Sequence, residues 1–100
     1  MIANDFEPKI AAVLNREMEL FEGYCCYDEK IKKIVYANAM VALFAYGIMQ
    51  CEEMSKHKWI EGLKQGRDPG NTAIIDWIRN YAEEFSRIWR KTHTFVRIDL

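Results

Sequence analysis

A chain of 100 residues is near the commonest size for one domain, and a composition half apolar and 29% charged describes a folded protein rather than a disordered one. The charges nearly cancel, at a net −1, which supplies no bulk attraction to nucleic acid or to an anionic membrane. Residues 1–9 carry Asp5, Glu7 and Pro8 and no basic stretch ahead of an apolar core, so no secretory signal is expected and the cytosol is the expected compartment.

The first predicted element is a helix from about Glu7 to Phe21. Pro8 suits its first turn, Phe6, Ile10, Val13, Leu14, Met18 and Phe21 recur at spacings of three and four, and Gly23 follows as a stop. Next come Cys25 and Cys26, adjacent and therefore unsuited to an ordinary disulfide with each other. With Cys51 they lack the Cys-x-x-Cys spacing of metal or redox sites, so reduced, mostly buried thiols are expected.

Asp28 reads as the N-cap of a second helix with Glu29 in its first turn. From Ile34 to Met49 that stretch is apolar nearly all round, interrupted by Asn38 and Gly47, and about four residues short of a membrane span. It predicts a buried central helix, with Ala37, Ala39, Ala42, Ala45 and Gly47 allowing close approach and Tyr36, Met40, Phe44 and Ile48 forming a bulky row. Asn38 must then find hydrogen bonds.

Ser55 offers a cap for a short third helix, Lys56 to Gln65, and the run Gly66-Arg67-Asp68-Pro69-Gly70-Asn71 is the strongest turn signal in the chain. A fourth helix is predicted from about Thr72 to Thr92. Ile74, Ile78, Tyr81, Phe85 and Ile88 form its apolar stripe, Arg79, Glu83 and Arg87 its i, i+4 pairs, and Arg87, Arg90, Lys91 and His93 its basic end. The tail from Thr94 alternates, with Val96, Ile98 and Leu100 on one side, and reads as extended; with no other strand evident, an intrachain partner for it is not expected. The predicted fold is all-α: one domain, a small bundle of about four helices with a short extended C-terminal tail.

Chemistry is thinly signalled. Glu53 and His57 stand four apart near Glu52 and Cys51, and Glu17, Glu19 and Glu22 lie in the first helix. The Glu-x-x-His pairs of di-iron bundles are missing, so neither a metal nor a cofactor is expected, and no catalytic residue is assigned. A ligand or metal site between helices, around Glu53, His57 or Cys51, stands as an alternative. Gly66 to Gly70 precedes a helix as phosphate loops do, but follows a helix rather than a strand and lacks the P-loop lysine.

Arg79, Arg87, Arg90, Lys91 and Arg97, with Trp77 and Trp89, form the one local basic, aromatic-bearing region, and Arg87, Arg90 and Lys91 are the candidate residues of the nucleic-acid-binding alternative. Short helix, glycine turn and longer helix also outline a helix-turn-helix, although the turn is long and the helix after it opens on Ala73, Ile74 and Ile75 where polar base-reading residues would be needed. Aromatic residues make up 13% of the chain, more rings than a small bundle easily houses, and aromatic and methionine side chains are enriched at interface cores. The favoured function is therefore a regulatory or protein–protein interaction domain without catalytic activity, with another protein or a second copy as partner in preference to nucleic acid, and no membrane. Trp77, Tyr81, Trp89 and Phe95 are the candidate interface anchors.

Overall fold

The structure is a computed structural model that describes residues 6–97. The reading of residues 1–5 and the alternation at Ile98, Asp99 and Leu100 lie outside the described residues. In chain order the elements are α1 (Pro8–Leu20), β1 (Cys25–Asp28), β2 (Lys33–Tyr36), α2 (Ala39–Gln65), α3 (Asn71–Thr92) and β3 (His93–Phe95). The three strands form one sheet in the order β1-β2-β3, so the fold is mixed α/β and not an all-α bundle of about four helices. Two compact units divide it, Met1–Ala45 with Arg90–Leu100, and Tyr46–Trp89.

In the first unit, α1 begins where Pro8 needs no amide partner and ends where the Phe21 amide donates to the Glu17 carbonyl at 3.0 Å, before Gly23 turns the chain at φ 90°. The hairpin that follows overturns the expected helix start at Asp28. The Asp28 carboxylate does accept the amides of Lys30 and Ile31, at 2.9 and 3.4 Å, which is capping chemistry. It closes a turn instead of opening a helix, because Lys32 enters the left-handed region at φ 55° and the chain doubles back. β1 and β2 then pair antiparallel from Cys25↔Tyr36 to Asp28↔Lys33, with Tyr27 in β1 and Ile34, Val35 and Tyr36 in β2 suited to a pleated, half-buried surface.

The extended tail has an intrachain partner after all. β3 pairs parallel to β2, His93 opposite Ile34 and Phe95 opposite Tyr36, and the Val96 amide donates to the Tyr36 carbonyl at 2.9 Å. A parallel pair needs a long crossover, and here the connection is the whole α2–α3 segment. The alternation of strands places Cys25, Tyr36 and His93 on one face, and α1 covers that face through Leu14, Glu17 and Phe21.

The amide of Val41 finds the Asn38 side chain at 2.9 Å, so Asn38 is the N-cap of α2 and not a residue inside a helix. α2 then runs unbroken through Ser55, which is exposed in mid-helix, so the two expected helices are one of 27 residues. No proline interrupts it, and the Glu53–Lys56 pair at 3.3 Å bridges the place where a break was expected.

The second unit is the hairpin of the remaining parts of α2 and α3. Gly66 and Gly70 have φ of 68° and 62°, which only glycine adopts at little cost, and the Asp68 carboxylate accepts the Gly70 amide at 2.9 Å. Met49, Ala73 and Trp77 are its buried apolar residues. Phe85 stands 5.8 Å from Trp77, 5.6 Å from Tyr46 and 6.0 Å from Trp89, which uses much of the aromatic content as core.

Candidate functional site

Three places in the structure hold groups that could act. The first is a buried polar cluster in the first unit. Glu17 sits on the sheet-facing side of α1 at 1% exposure, Tyr36 ends β2 at 0%, and His93 opens β3 immediately after α3 ends at Thr92. A carboxylate only accepts hydrogen bonds, so His93 Nε2 is the donor to Glu17 Oε1 at 2.9 Å and to Oε2 at 2.7 Å. The Tyr36 hydroxyl donates to Glu17 Oε2, and Thr92 Oγ1 lies 2.8 Å from His93 Nδ1. The tyrosine and histidine rings stack at 6.2 Å, with Phe21 edge-on to the tyrosine at 6.1 Å.

Cys25 borders this cluster, its thiol donating to the Phe21 carbonyl at 3.6 Å. Burial, then the Glu17 charge, then Cys26 push that thiol up to about 11. It stays protonated at neutral pH and is not an activated nucleophile. Burial likewise lifts the Tyr36 hydroxyl above the ordinary phenol range, reinforced by its donation to Glu17 and by the Glu17 charge. Acid–base chemistry needs a reacting atom within hydrogen-bond reach of the catalytic group, and Glu17 faces internal donors with almost no surface open to solvent. The cluster ties α1, β2 and β3 together. Glu17 was one of the carboxylates noticed in the first helix, but nothing in its spacing pointed to a histidine 76 residues away.

The second place lies in the hairpin of α2 and α3. His57 Nε2 is 2.8 Å from Asp76 Oδ2, Asn80 donates to the other Asp76 oxygen at 2.9 Å, and Tyr81 meets the imidazole edge-on at 5.5 Å. Glu53 is paired with Lys56 and Cys51 is exposed, so Glu53, His57 and Cys51 do not converge. Among the described residues no group of three or more His, Cys, Asp or Glu side chains is placed to hold a metal. In the glycine turn, the Gly70 amide and then Lys58 hold the Asp68 carboxyl below its ordinary value. That carboxylate occupies the donor a phosphate would use. The helix before this turn is the end of 27-residue α2, not the short first helix of a helix-turn-helix. An open groove of about 490 Å³ beside Trp59, Leu63 and Pro69 carries the Lys58–Asp68 pair at 3.7 Å.

The candidate anchors are not brought together. Trp77 is 5% exposed, inside the hairpin, and Trp89 is half-buried against Tyr46 and Phe85. Tyr81 is exposed on α3, and Phe95 is half-buried in β3 under the Arg97 guanidinium at 5.6 Å. Arg87, Arg90 and Lys91 are all exposed on the last turns of α3, with Arg87 3.7 Å from Glu84 rather than paired with Glu83.

The third place is the start of α2. The expected central helix buries its small side, Ala42 at 8% and Ala45 at 0%, and turns its bulky side outward. Met40 is 82% exposed, Leu43 71% and Phe44 65%, adjacent on one face at i, i+3 and i+4. A helix that is apolar all round is normally covered all round. Of the bulky row expected from sequence, Met40 and Phe44 lie on this face, whereas Tyr36 is buried in β2 and Ile48 is half-buried; periodicity cannot say which side of such a helix faces inward.

No helix among the described residues is long and apolar enough to cross a membrane. Comparison with protein-family models, with curated proteins and with solved structures finds no match for this chain.

Proposed function

We propose that this chain is a protein–protein interaction module without catalytic activity, and that it docks through the Met40, Leu43 and Phe44 face of α2. The observation that carries the proposal is the exposure of these three large apolar side chains on adjacent turns, in a helix whose opposite side is already packed. A contiguous apolar patch of this kind is costly in water and is often functional. Tyr81 and Phe95, partly open to solvent, remain candidate contacts, whereas Trp77 would have to leave the core to serve. The buried and internally satisfied Glu17 cluster supports a role in holding the fold over a role in chemistry.

The test is native mass spectrometry of the chain purified gently from its own cells, beside the M40E/F44E variant. The expected result is a wild-type complex containing a second protein chain, identical or different, that the variant loses. A bare wild-type monomer in spectra taken across the whole micromolar concentration range, or a complex that the variant retains, would overturn the proposal.

A further inference from the structure

Resting on that docking face, we infer that its occupant is a second copy of this chain, with the Met40, Leu43 and Phe44 patches of two molecules packed face to face about a two-fold axis. The argument begins with charge. From Ala39 to Cys51, thirteen residues of α2, the sequence contains no Asp, Glu, Lys or Arg. The other exposed apolar patches are different: Trp59, Ile60 and Leu63 alternate with Lys58, Glu61 and Lys64, and Ile75 and Ile78 flank Asp76 and Arg79.

A two-fold contact brings every group near the axis against its own copy, so a charge there meets a like charge at short range. A heterologous partner imposes no such condition, and is commonly selected by complementary charges that this face lacks. A second copy supplies a matching charge-free strip, and Gly47 one turn further along leaves the α2 surface low enough for another helix to approach.

Area sets the size class of the contact, not its affinity. Taking about 200 Å² for one fully exposed large side chain, Met40, Leu43 and Phe44 present roughly 400 Å² per molecule. Pairing two copies then removes about 800 Å² in all, below the standard interface and within the range of weak, transient contacts. The dimer therefore grows in with concentration over the micromolar range and is not permanent.

The experiment is sedimentation velocity on the purified full chain across that range, wild type beside M40E/F44E, with far-UV circular dichroism to show that the variant is folded. Wild type is expected to move from monomer to dimer, with M40E/F44E weaker by at least about tenfold because each glutamate would lose its water in the contact. As a second readout that leaves the patch apolar, L43C in a C26S/C51S background is expected to form a disulfide-linked dimer under mild oxidation. A wild-type monomer at every concentration, a dimer unaffected by M40E/F44E, or no cross-link through L43C would overturn the inference. If the isolated chain is monomeric while the complex from its own cells contains a different protein that M40E/F44E loses, self-association falls and the interaction module stands. Binding of wild type but not M40E/F44E to phosphatidylcholine vesicles, with no protein complex, would overturn both.

Discussion

His93 Nε2 lies 2.9 and 2.7 Å from the two carboxylate oxygens of Glu17, at 76 residues' separation. One is in the last turn of the first helix and the other is the first residue of the last strand, so this contact joins the two ends of the described chain at a point hidden from solvent. Taking a carboxylate out of water is expensive, and here the donors of His93 and Tyr36 offset the cost.

Removing Glu17 therefore leaves two buried donors without the acceptor they share. Glu17→Ala is expected to destabilise the protein by about 3 kcal/mol or more in urea denaturation, and Glu17→Gln by less, since the amide oxygen still accepts. Glu17→Leu combined with His93→Leu should cost clearly less than the sum of the two single changes, because the Glu17–His93 interaction is then lost once and neither of the two is left facing a missing partner. Additive losses would show that the two residues act separately.

A second consequence concerns alkaline pH. The Cys25 thiol keeps its proton in the folded state up to about 11, whereas a cysteine ordinarily titrates near 9. Between those values the unfolded chain binds fewer protons than the folded one, so stability falls as pH rises through the window and is fully present below it. The loss is on the order of 1–2 kcal/mol after allowance for the partial exposure of Cys25. Tyr36 acts in the same direction, starting nearer its ordinary value of 10. Urea midpoints measured from pH 8 to 11 should decline, and Cys25→Ala should flatten the portion between pH 9 and 10 and leave a shallower fall above it, where Tyr36 still acts.

Local signals in the sequence were sound where one principle governed. Pro8, the apolar spacing of α1, and the glycine turn before α3 placed those helices within a residue or so of where they stand. Asp28 shows why the rest was not legible: a carboxylate accepting amides two and three residues on is the same chemistry in a helix cap and in a hairpin turn. Lys33 to Tyr36 is only four residues, too short for alternation to separate a strand from an apolar helix, and its partner β3 lies beyond two intervening helices. The Glu17–His93 contact depends on that pairing, so the buried cluster was as hidden as the sheet. The face proposed for docking was legible in part: Met40 and Phe44 stand in the bulky row read from sequence, while Tyr36 of that row is buried in β2, and neither the place of Leu43 beside them nor their outward orientation could be read.

Capping at the start of α2 separates the two views of that region. Asn38 holds the Val41 amide at 2.9 Å, so Asn38→Ala should cost about 1 kcal/mol. Ser55, read from sequence as the next cap, is exposed inside the continuous helix, and Ser55→Ala should be neutral or slightly stabilising on helix propensity alone. A substantial loss at Ser55 in thermal denaturation would point to a break in α2 there.

The two glycines inside α2 are expected to respond differently to alanine. A methyl group at Gly47 meets nothing within 4 Å, so Gly47→Ala should stabilise by about 0.5–1 kcal/mol through the lower entropy of its unfolded chain. At Gly62 the added carbon would stand 3.3 Å from the Arg67 carbonyl oxygen and 3.4 Å from Pro69 Cδ. Both belong to the closed turn, which also ties the Arg67 amide to the Gly62 carbonyl at 3.2 Å, so neither can give way easily. Gly62→Ala should gain less than Gly47→Ala or lose stability outright, as compared by urea midpoints of the two variants.

The sharpest division is between rings that hold the fold and rings left exposed. Trp77, at 5% exposure and packed on Phe85, should cost about 3–5 kcal/mol when replaced by alanine, since the rings around it can collapse only partly into the cavity left by the indole. Phe44, at 65% exposure, should change the unfolding free energy of the monomer by no more than about 0.5 kcal/mol under the same substitution. Urea denaturation at low concentration, where any association is dissolved, isolates the monomer term. A large loss at Phe44 under those conditions would mean that the start of α2 packs inside the monomer and that its apolar face is not available to a partner.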